Sequence, residues 1–278
     1  MIRSPHDSAR KPKRGLSLGH CFLIALVIFV LVAGLIYLIQ LACQPSAELP
    51  KKEVPPMAPV EAWAEPVQKS AKQIFREADY LVHLDVIYRE KKDPDRIQYS
   101  YLSGMLINFQ NRQLILTAGH ITKDSIIIDL IHAELKGERN KFYEVSLDKV
   151  SQALDCATLT INEKDFQYFG KFASLDILNK SEIGDVVYAL GSPMETRFSV
   201  SKGVISNLSY GRGANTKARW ERLLVHDAIV FPGSSGGPLV NDSGMVVGMN
   251  IGIHPDFNSF GTAVPMDDIL HWLILNYN

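Results

Sequence analysis

Short apolar runs, alternating with polar residues or bounded by turn residues, dominate the chain beyond residue 79 and are typical of β-strands. A polar loop is predicted at "REKKDPDR" and a turn at "FQNRQ". The runs form two groups, separated near 165–182: "YLVHLDVIY", "YSYLSGMLIN", "QLILTAG", "SIIIDLI", "FYEVSLDKV" and "ATLTIN", then "DVVYALG", "SVSKGVISNLSY", "RLLVHDAIV", "GPLVND", "MVVGMNIGI" and "FGTAVP". This spacing predicts an all-β sandwich or pair of barrels. Residues 67–78 predict a short helix, and "MDDILHWLILNY" predicts an amphipathic helix at 266–277.

The N-terminal part has a different pattern. Residues 21–43 form an uncharged apolar run, and residues 1–20 before it carry five Lys or Arg against one Asp. A helix rises about 1.5 Å per residue, so a run of this length matches the roughly 30 Å hydrocarbon core of a bilayer. We therefore predict a transmembrane helix at 21–43, with the basic tail in the cytoplasm and the rest of the chain outside. A cleaved signal peptide, or lipoprotein-type cleavage at Leu41–Cys43, is the alternative.

Residues 44–66 contain six prolines, a density that neither a helix nor a central strand tolerates. We predict a semi-extended linker that separates the membrane from a domain at 67–278. The alternative is a proline-rich ligand for another protein.

The composition of the chain disfavours several classes of function. The 278 residues are 46% apolar and have a net charge of −1, which does not suggest a nucleic-acid-binding chain. The three cysteines suggest no disulfide framework, and no spacing typical of metal ligands occurs. We expect neither a metal nor a cofactor.

Three segments combine residues that suit nucleophilic catalysis. The glycines of "FPGSSGGPLV" allow backbone N–H groups to converge beside Ser234 and Ser235. A serine nucleophile needs a base and a group that orients it, and His120 follows the strand in "LTAGH" while Asp155 precedes the strand in "DCATLTI". We interpret the other histidines of this region, including His83 and His226, as structural or surface residues.

The motifs "LTAGH", "DCATLTI" and "GSSGGPLV", in this order and 35 and 80 residues apart, resemble those of chymotrypsin-fold serine proteases. With "SGMLIN", "VVYALGSPM", "SVSKGVIS" and "GTAVP", residues 80–270 resemble the HtrA/Deg branch. The resemblance implies two six-stranded antiparallel β-barrels with a C-terminal helix. It also implies that Ser235 is the nucleophile, His120 the base and Asp155 the orienting acid.

The resemblance further implies an oxyanion hole from the N–H groups of Gly233 and Ser235, with Ser234 as a further candidate. Digestive proteases have an aspartate where this chain has Ser234, so we do not expect activation by N-terminal cleavage. HtrA proteins usually have PDZ domains, and we expect none here. A homotrimer through residues 61–80 is an expectation by analogy.

Substrate specificity is expected to depend on Ile229 at the base of the primary pocket and on a wall from Met249, Asn250, Ile251 and Gly252. An apolar Ile229 disfavours cleavage after Lys or Arg and favours aliphatic side chains; the alternative is that Ile229 faces the core. "SYGRGANTKARWERL" predicts either a solvated loop or a loop that regulates the oxyanion hole.

Together these features predict a membrane-anchored, extracytoplasmic serine endopeptidase that cleaves protein substrates in quality control or regulated proteolysis. The alternative is a latent or non-catalytic module that uses the protease fold for binding.

Overall fold

The computed structural model describes residues 31–35 and 68–278, apart from 165, 178–180, 213–218 and 255–258. Residues 31–35 are helical and exposed, and they are the described part of the predicted transmembrane segment 21–43. The rest of that segment, the basic tail 1–20 and the linker 44–66 lie outside the described residues. Among the described helices, none has the length and apolar character that a membrane span requires.

The first barrel closes in the order β1-β2-β3-β6-β5-β4, and every neighbouring pair is antiparallel. Its strands are β1 (Leu81–Glu90), β2 (Asp93–Phe109), β3 (Arg112–Ala118), β4 (Ile126–Leu135), β5 (Phe142–Ser151) and β6 (Cys156–Ile161). The predicted turn between β2 and β3 contains Gln110 and Asn111, both at positive φ, which suits a two-residue hairpin turn. Large apolar side chains such as Leu84, Met105 and Leu116 fill the barrel.

The second barrel closes in the order β10-β11-β12-β9-β8-β7. Its strands are β7 (Val186–Gly191), β8 (Ser199–Arg212), β9 (Arg219–His226), β10 (Pro238–Asn241), β11 (Val246–Ile253) and β12 (Gly261–Pro265). Its buried core includes Val187, Ile205 and Leu239. The all-β prediction is thus confirmed, as two six-stranded barrels.

Two helices flank the barrels. Helix α1 (Ala71–Glu77) begins with a capping box in which Ser70 and Gln73 exchange hydrogen bonds, and Ile74 joins the core. Helix α2 (Met266–Tyr277) directly follows β12, as predicted. It reaches the first barrel, where the Tyr277 hydroxyl lies 2.6 Å from Thr158 Oγ1 and donates to Asp148 Oδ2 over 2.5 Å.

The structure corrects the predictions for two segments. The polar segment "REKKDPDR" is mostly strand, because β1 runs to Glu90 and β2 begins at Asp93. An irregularity in pairing between Arg89 and Glu90 accommodates Pro94, which has no N–H to donate to a ladder. In the predicted loop "SYGRGANTKARWERL", residues 209–212 at the end of β8 pair with residues 219–223 at the start of β9, so the hairpin continues into it. Residues 213–218 lie outside the described part.

Candidate active site

The strand register of the first barrel places His120 beside Asp155. Ala118 at the end of β3 pairs with Cys156 at the start of β6, so the residues beyond these strand ends meet. Gly119 N donates to Asp155 O over 2.7 Å. A Cβ on Gly119 would lie 2.8 Å from Cys156 N, so only glycine permits this close approach.

Both oxygens of the Asp155 carboxylate bind His120. Oδ1 accepts the His120 backbone N–H over 2.5 Å, and Oδ2 lies 2.8 Å from Nδ1. Asp155 is only 3% exposed and has a left-handed backbone with φ of 49°, which aims the carboxylate back at the histidine. A buried carboxylate needs such partners. The arrangement favours the tautomer with a proton on Nδ1, which leaves the Nε2 lone pair free to accept a proton.

The neighbouring thiol does not compete as a nucleophile. Cys156 is fully buried, and burial, reinforced by the charge of Asp155, raises the pKa of its thiol far above neutrality. A protonated, inaccessible thiol is a structural residue.

The two candidate serines lie in the segment Phe231–Gly237, here called the serine loop. Ser234 N donates to Phe231 O over 2.8 Å, and Gly233 has a φ of 96°. With Pro232 in second place and glycine in third, these are the marks of a type II turn. In this turn the central peptide is turned over relative to type I, so the Gly233 N–H takes the side that the Pro232 carbonyl would otherwise occupy.

Two backbone donors of the serine loop remain unused. Within the described part of the chain, the N–H groups of Gly233 and Ser235 have no hydrogen-bond partner, whereas those of Ser234, Gly236 and Gly237 are engaged. Two free donors that flank a serine are what an oxyanion requires. The Ser234 N–H is already used in the turn, which argues against Ser234 as a third donor.

The serine loop is bound directly to the first barrel. Ser103 of β2 donates its N–H to Ser235 O over 2.8 Å and its hydroxyl to Gly233 O over 2.7 Å. Gly236 has a φ of 88°, and a Cβ at this position would overlap Ser103 O and the Thr117 hydroxyl. The strands that lead to His120 therefore also support Ser235.

Asn250 of β11 holds the other side of the serine loop. Its backbone carbonyl accepts from Gly236 N over 2.7 Å, and its side-chain amide donates to Gly237 O over 3.0 Å. The amide oxygen accepts from His226 Nε2 over 2.9 Å. His226 is fully buried, its Nδ1 has no partner among the described residues, and burial lowers its pKa to about 4. This histidine is therefore neutral at physiological pH.

The Ser235 hydroxyl donates to Ile251 O over 3.2 Å. It makes no hydrogen bond to the His120 ring within the described part of the molecule.

The predicted specificity residues occupy different environments. Ile229 is 63% exposed, so the alternative that it faces the core is wrong. Met249 and Asn250 are fully buried, and the Asn250 side chain binds the Gly237 carbonyl of the serine loop. Ile251 contacts the serine through its carbonyl, and Gly252 follows it with a φ of 155°. A role for these five residues in binding substrate stays a prediction.

Ser103, His226 and Asn250 were not predicted as supports of the serine loop. The motif "SGMLIN" contains Ser103, but the residues of the serine loop that it contacts lie 130 or more residues away along the chain. Among the described residues, no three His, Cys, Asp or Glu side chains gather as a metal ion would need.

Comparison with known proteins gives this geometry a family context. The sequence profile of the trypsin-like peptidase domain matches residues 102–249. A probable periplasmic serine endoprotease, DegP-like, from Chlamydia pneumoniae is 33% identical over 54% of this chain and 29% of its own length. The Do-like serine protease HtrB of Bacillus subtilis is 30% identical over 57% of this chain and 34% of its own.

Solved structures agree. The serine endoprotease of Yersinia pestis matches with a TM-score of 0.56 and 25% identity, over 76% of this chain and 67% of the other. The chain spans only about a third of the length of the two curated relatives. The profile match, which covers more than half of the chain, and the two barrels lead to one conclusion: this chain belongs to the trypsin-like peptidase family, with a chymotrypsin fold of the HtrA type.

Proposed function

We propose that the chain is a serine endopeptidase in which Ser235 is the nucleophile, His120 the general base and Asp155 the group that orients the base. The two hydrogen bonds that the Asp155 carboxylate accepts from His120 carry this proposal, because they leave Nε2 as the free basic atom of the ring. The unused N–H groups of Gly233 and Ser235 supply the oxyanion hole.

In the proposed reaction, Ser235 Oγ attacks the scissile carbonyl carbon while His120 Nε2 takes the hydroxyl proton. The carbonyl oxygen becomes an oxyanion between Gly233 N and Ser235 N. When the tetrahedral intermediate collapses, the C–N bond breaks and His120 returns the proton to the leaving amine. Water, deprotonated by His120, then attacks the acyl-enzyme. The ester C–O bond breaks, His120 returns the proton to Ser235 Oγ, and the acid is released.

One rotation precedes attack. The Ser235 hydroxyl must leave Ile251 O and turn toward His120. A neutral hydrogen bond contributes about 1 kcal/mol net, so the rotation is a small part of the barrier.

We propose substrates with apolar side chains at the cleaved bond. Three large apolar side chains are mostly exposed in or next to the serine loop: Met194 at 56%, Ile229 at 63% and Phe231 at 59%. A Cβ on Gly233 would lie 2.7 Å from Met194 N, which places Met194 beside the oxyanion donors. Peptides with Val or Leu before the cleaved bond should be hydrolysed faster than those with Lys or Arg.

A fluorophosphonate probe tests the assignment of the nucleophile. The wild-type protein and Ser234→Ala, the matched control, should be labelled, whereas Ser235→Ala should not. Mass spectrometry should place the probe on Ser235. A folded wild-type protein that resists labelling, with peptidase activity retained by Ser235→Ala, would reject the assignment.

A binding module built on the protease fold is the second candidate. The hydrogen bond from Ser235 to Ile251 O favours it, because the hydroxyl is directed away from the base. Cleavage of unfolded casein by the wild type, but not by Ser235→Ala, would exclude this candidate. Casein binding without cleavage by either protein would support it.

We also propose that residues 21–43 anchor the protein in a membrane, with residues 1–20 in the cytoplasm and the peptidase domain outside. The uncharged run and its basic flank support the proposal. The protein should resist carbonate extraction from membranes, and added protease should reach the domain but not the basic tail.

A homotrimer is proposed by family analogy alone, and light scattering after size-exclusion chromatography of the full chain tests it.

A further inference from the structure

A chain of buried hydrogen bonds begins at His83, on β1 of the first barrel. His83 is 1% exposed, and its ring stacks on Tyr101 with centroids 5.7 Å apart. Nε2 lies 3.0 Å from Asp85 Oδ1, and Nδ1 lies 2.8 Å from Ser192 Oγ, which follows β7 of the second barrel. The ring therefore joins the two barrels.

Donors and acceptors can be assigned along this series of hydrogen bonds. The hydrogen bond to His83, more than the nearby positive charges, lowers the pKa of Asp85 and keeps it a carboxylate. The Asp85 carboxylate accepts a hydrogen bond from Nε2–H, so Nδ1 carries the lone pair and accepts a hydrogen bond from the Ser192 hydroxyl. The Ser192 oxygen then accepts from Phe198 N over 3.2 Å.

From Ser192 the chain continues to the serine loop. Ser192 N donates to Ser103 Oγ over 2.7 Å, and Ser103 Oγ donates to Gly233 O over 2.7 Å. Because the Ser103 hydroxyl accepts from Ser192, its own proton is directed to the Gly233 carbonyl. Buried networks of this kind are costly to break, since each lost partner leaves an unsatisfied polar group.

The Gly233 carbonyl lies next to the peptide whose orientation decides whether the proposed oxyanion hole is formed. Glycine permits either orientation of the Pro232–Gly233 peptide, and a type I turn would replace the Gly233 N–H by a carbonyl on the side of the proposed hole. The adjoining peptide is fixed at both ends, its carbonyl by Ser103 and its N–H by Phe231 O. His83 holds Ser192 in place, and the position of Ser192 thus affects whether the Phe231–Ser234 turn keeps its type II conformation.

We propose that His83 is a positioning residue of the active site: through Ser192 and Ser103 it fixes the Gly233 carbonyl and so maintains the oxyanion hole. This inference rests on the proposed peptidase function. The oxyanion forms only in the transition state, so replacing His83 should lower kcat more than it weakens substrate binding.

The substitution His83→Phe tests the inference, because it keeps an aromatic ring against Tyr101 but cannot accept from Ser192. Loss of a whole oxyanion donor costs about 10²–10³ in rate, and we expect about a tenfold fall in kcat per titrated active site for this indirect change. KM should stay within about threefold. The inhibition constant of a peptide aldehyde, which forms an oxyanion with the nucleophile, should rise by the same factor as kcat/KM falls.

Three further variants sharpen the test. His83→Gln keeps one acceptor and one donor, so it should recover most of the lost kcat. His132→Phe is the matched control, because His132 lies opposite Asp85 on β4 but takes no part in the series of hydrogen bonds from His83 to Gly233. This variant should retain wild-type kcat. If His83→Phe does not fold, Ser192→Ala removes the same link with a smaller change and should show the same loss of kcat and of aldehyde affinity.

The outcomes are distinguishable. An active wild type and folded variants with kcat and aldehyde inhibition within twofold of it would overturn the inference alone. A loss confined to thermal stability or to KM would also overturn it, in favour of a structural role. A wild-type protein that neither hydrolyses peptides nor reacts with the fluorophosphonate would overturn the proposed function, and the inference with it.

Discussion

The two halves of the proposed active site are built in different ways. His120 and Asp155 follow directly from paired strands, and the Ala118–Cys156 register sets their separation. The serine loop has no ladder of its own and depends on contacts with Ser103 and Asn250. The half that holds the base is thus fixed by the barrel itself, whereas the half that holds the nucleophile depends on a few long-range hydrogen bonds. The latter should respond more strongly to changes in its surroundings.

The largest expected effect tests the half that holds the base. Asp155→Asn keeps the shape of the side chain but favours the wrong imidazole tautomer, and kcat should fall by about 10⁴-fold. Active-site titration and steady-state hydrolysis of a peptide measure the change. The control Asp148→Asn, at the carboxylate bound to Tyr277, should leave kcat unchanged. Equal activity of the wild type and Asp155→Asn would remove Asp155 from the mechanism.

The next effect concerns the contact between the serine loop and the first barrel. Gly236→Ala combines a left-handed backbone with overlap on Ser103 O, and should lower the free energy of unfolding by about 4 kcal/mol. Gly244→Ala has a similar φ of 83° but meets only the flexible end of Lys69, and should cost about 1 kcal/mol. Urea denaturation compares the two. Similar midpoints would show that the close approach at Gly236 relaxes readily.

Acid should weaken the serine loop through His226. Its pKa is about 4 in the folded protein and about 6.5 when exposed, so stability is fully present above pH 6.5 and falls as the pH drops toward 4. The loss should approach about 3 kcal/mol relative to His226→Gln, which cannot take up a proton. Unfolding of both proteins by urea between pH 7 and 4 measures the difference, and contributions from other groups cancel. Parallel curves would contradict the prediction.

The smallest effect lies away from both halves. Tyr277→Phe removes the hydroxyl between Thr158 and Asp148 and should lower the free energy of unfolding by about 1–2 kcal/mol. Peptidase kcat should not change, because among the described residues the Tyr277 side chain contacts Asp148, Thr158, Phe109 and Arg112 rather than His120. Thermal unfolding and kcat are measured on the same sample. A fall in kcat would show that the half holding the base is less independent than its strand register suggests.

The sequence predicted the features that depend on local pattern. Strand periodicity located both barrels, and the apolar spacing of "MDDILHWLILNY" located α2 within its observed bounds. The glycines beside Ser235 indicated an unusual turn, because backbone positions with positive φ favour glycine.

Features that depend on distant residues were not predicted. His83 and Ser192 meet across 109 residues, and nothing local distinguishes a buried histidine that joins two barrels from one on the surface. The polar segment "REKKDPDR" was predicted as a loop, because its irregular strand pairing depends on the partner strand and not on its own residues. The buried positions of Met249 and Asn250 follow from how β11 sits between β10 and β12.

The contact between Gly236 and Ser103 has a consequence for the order of events during synthesis. Ser103, His120 and Asp155 leave the ribosome well before Ser235, so a partly made chain contains the proposed base and its acid but not the proposed nucleophile. Asn250 supports the serine loop from within the second barrel, whereas the hydrogen bonds from Ser103 form only when the first barrel contacts it. The proposed active site is therefore complete only after both barrels have folded and met.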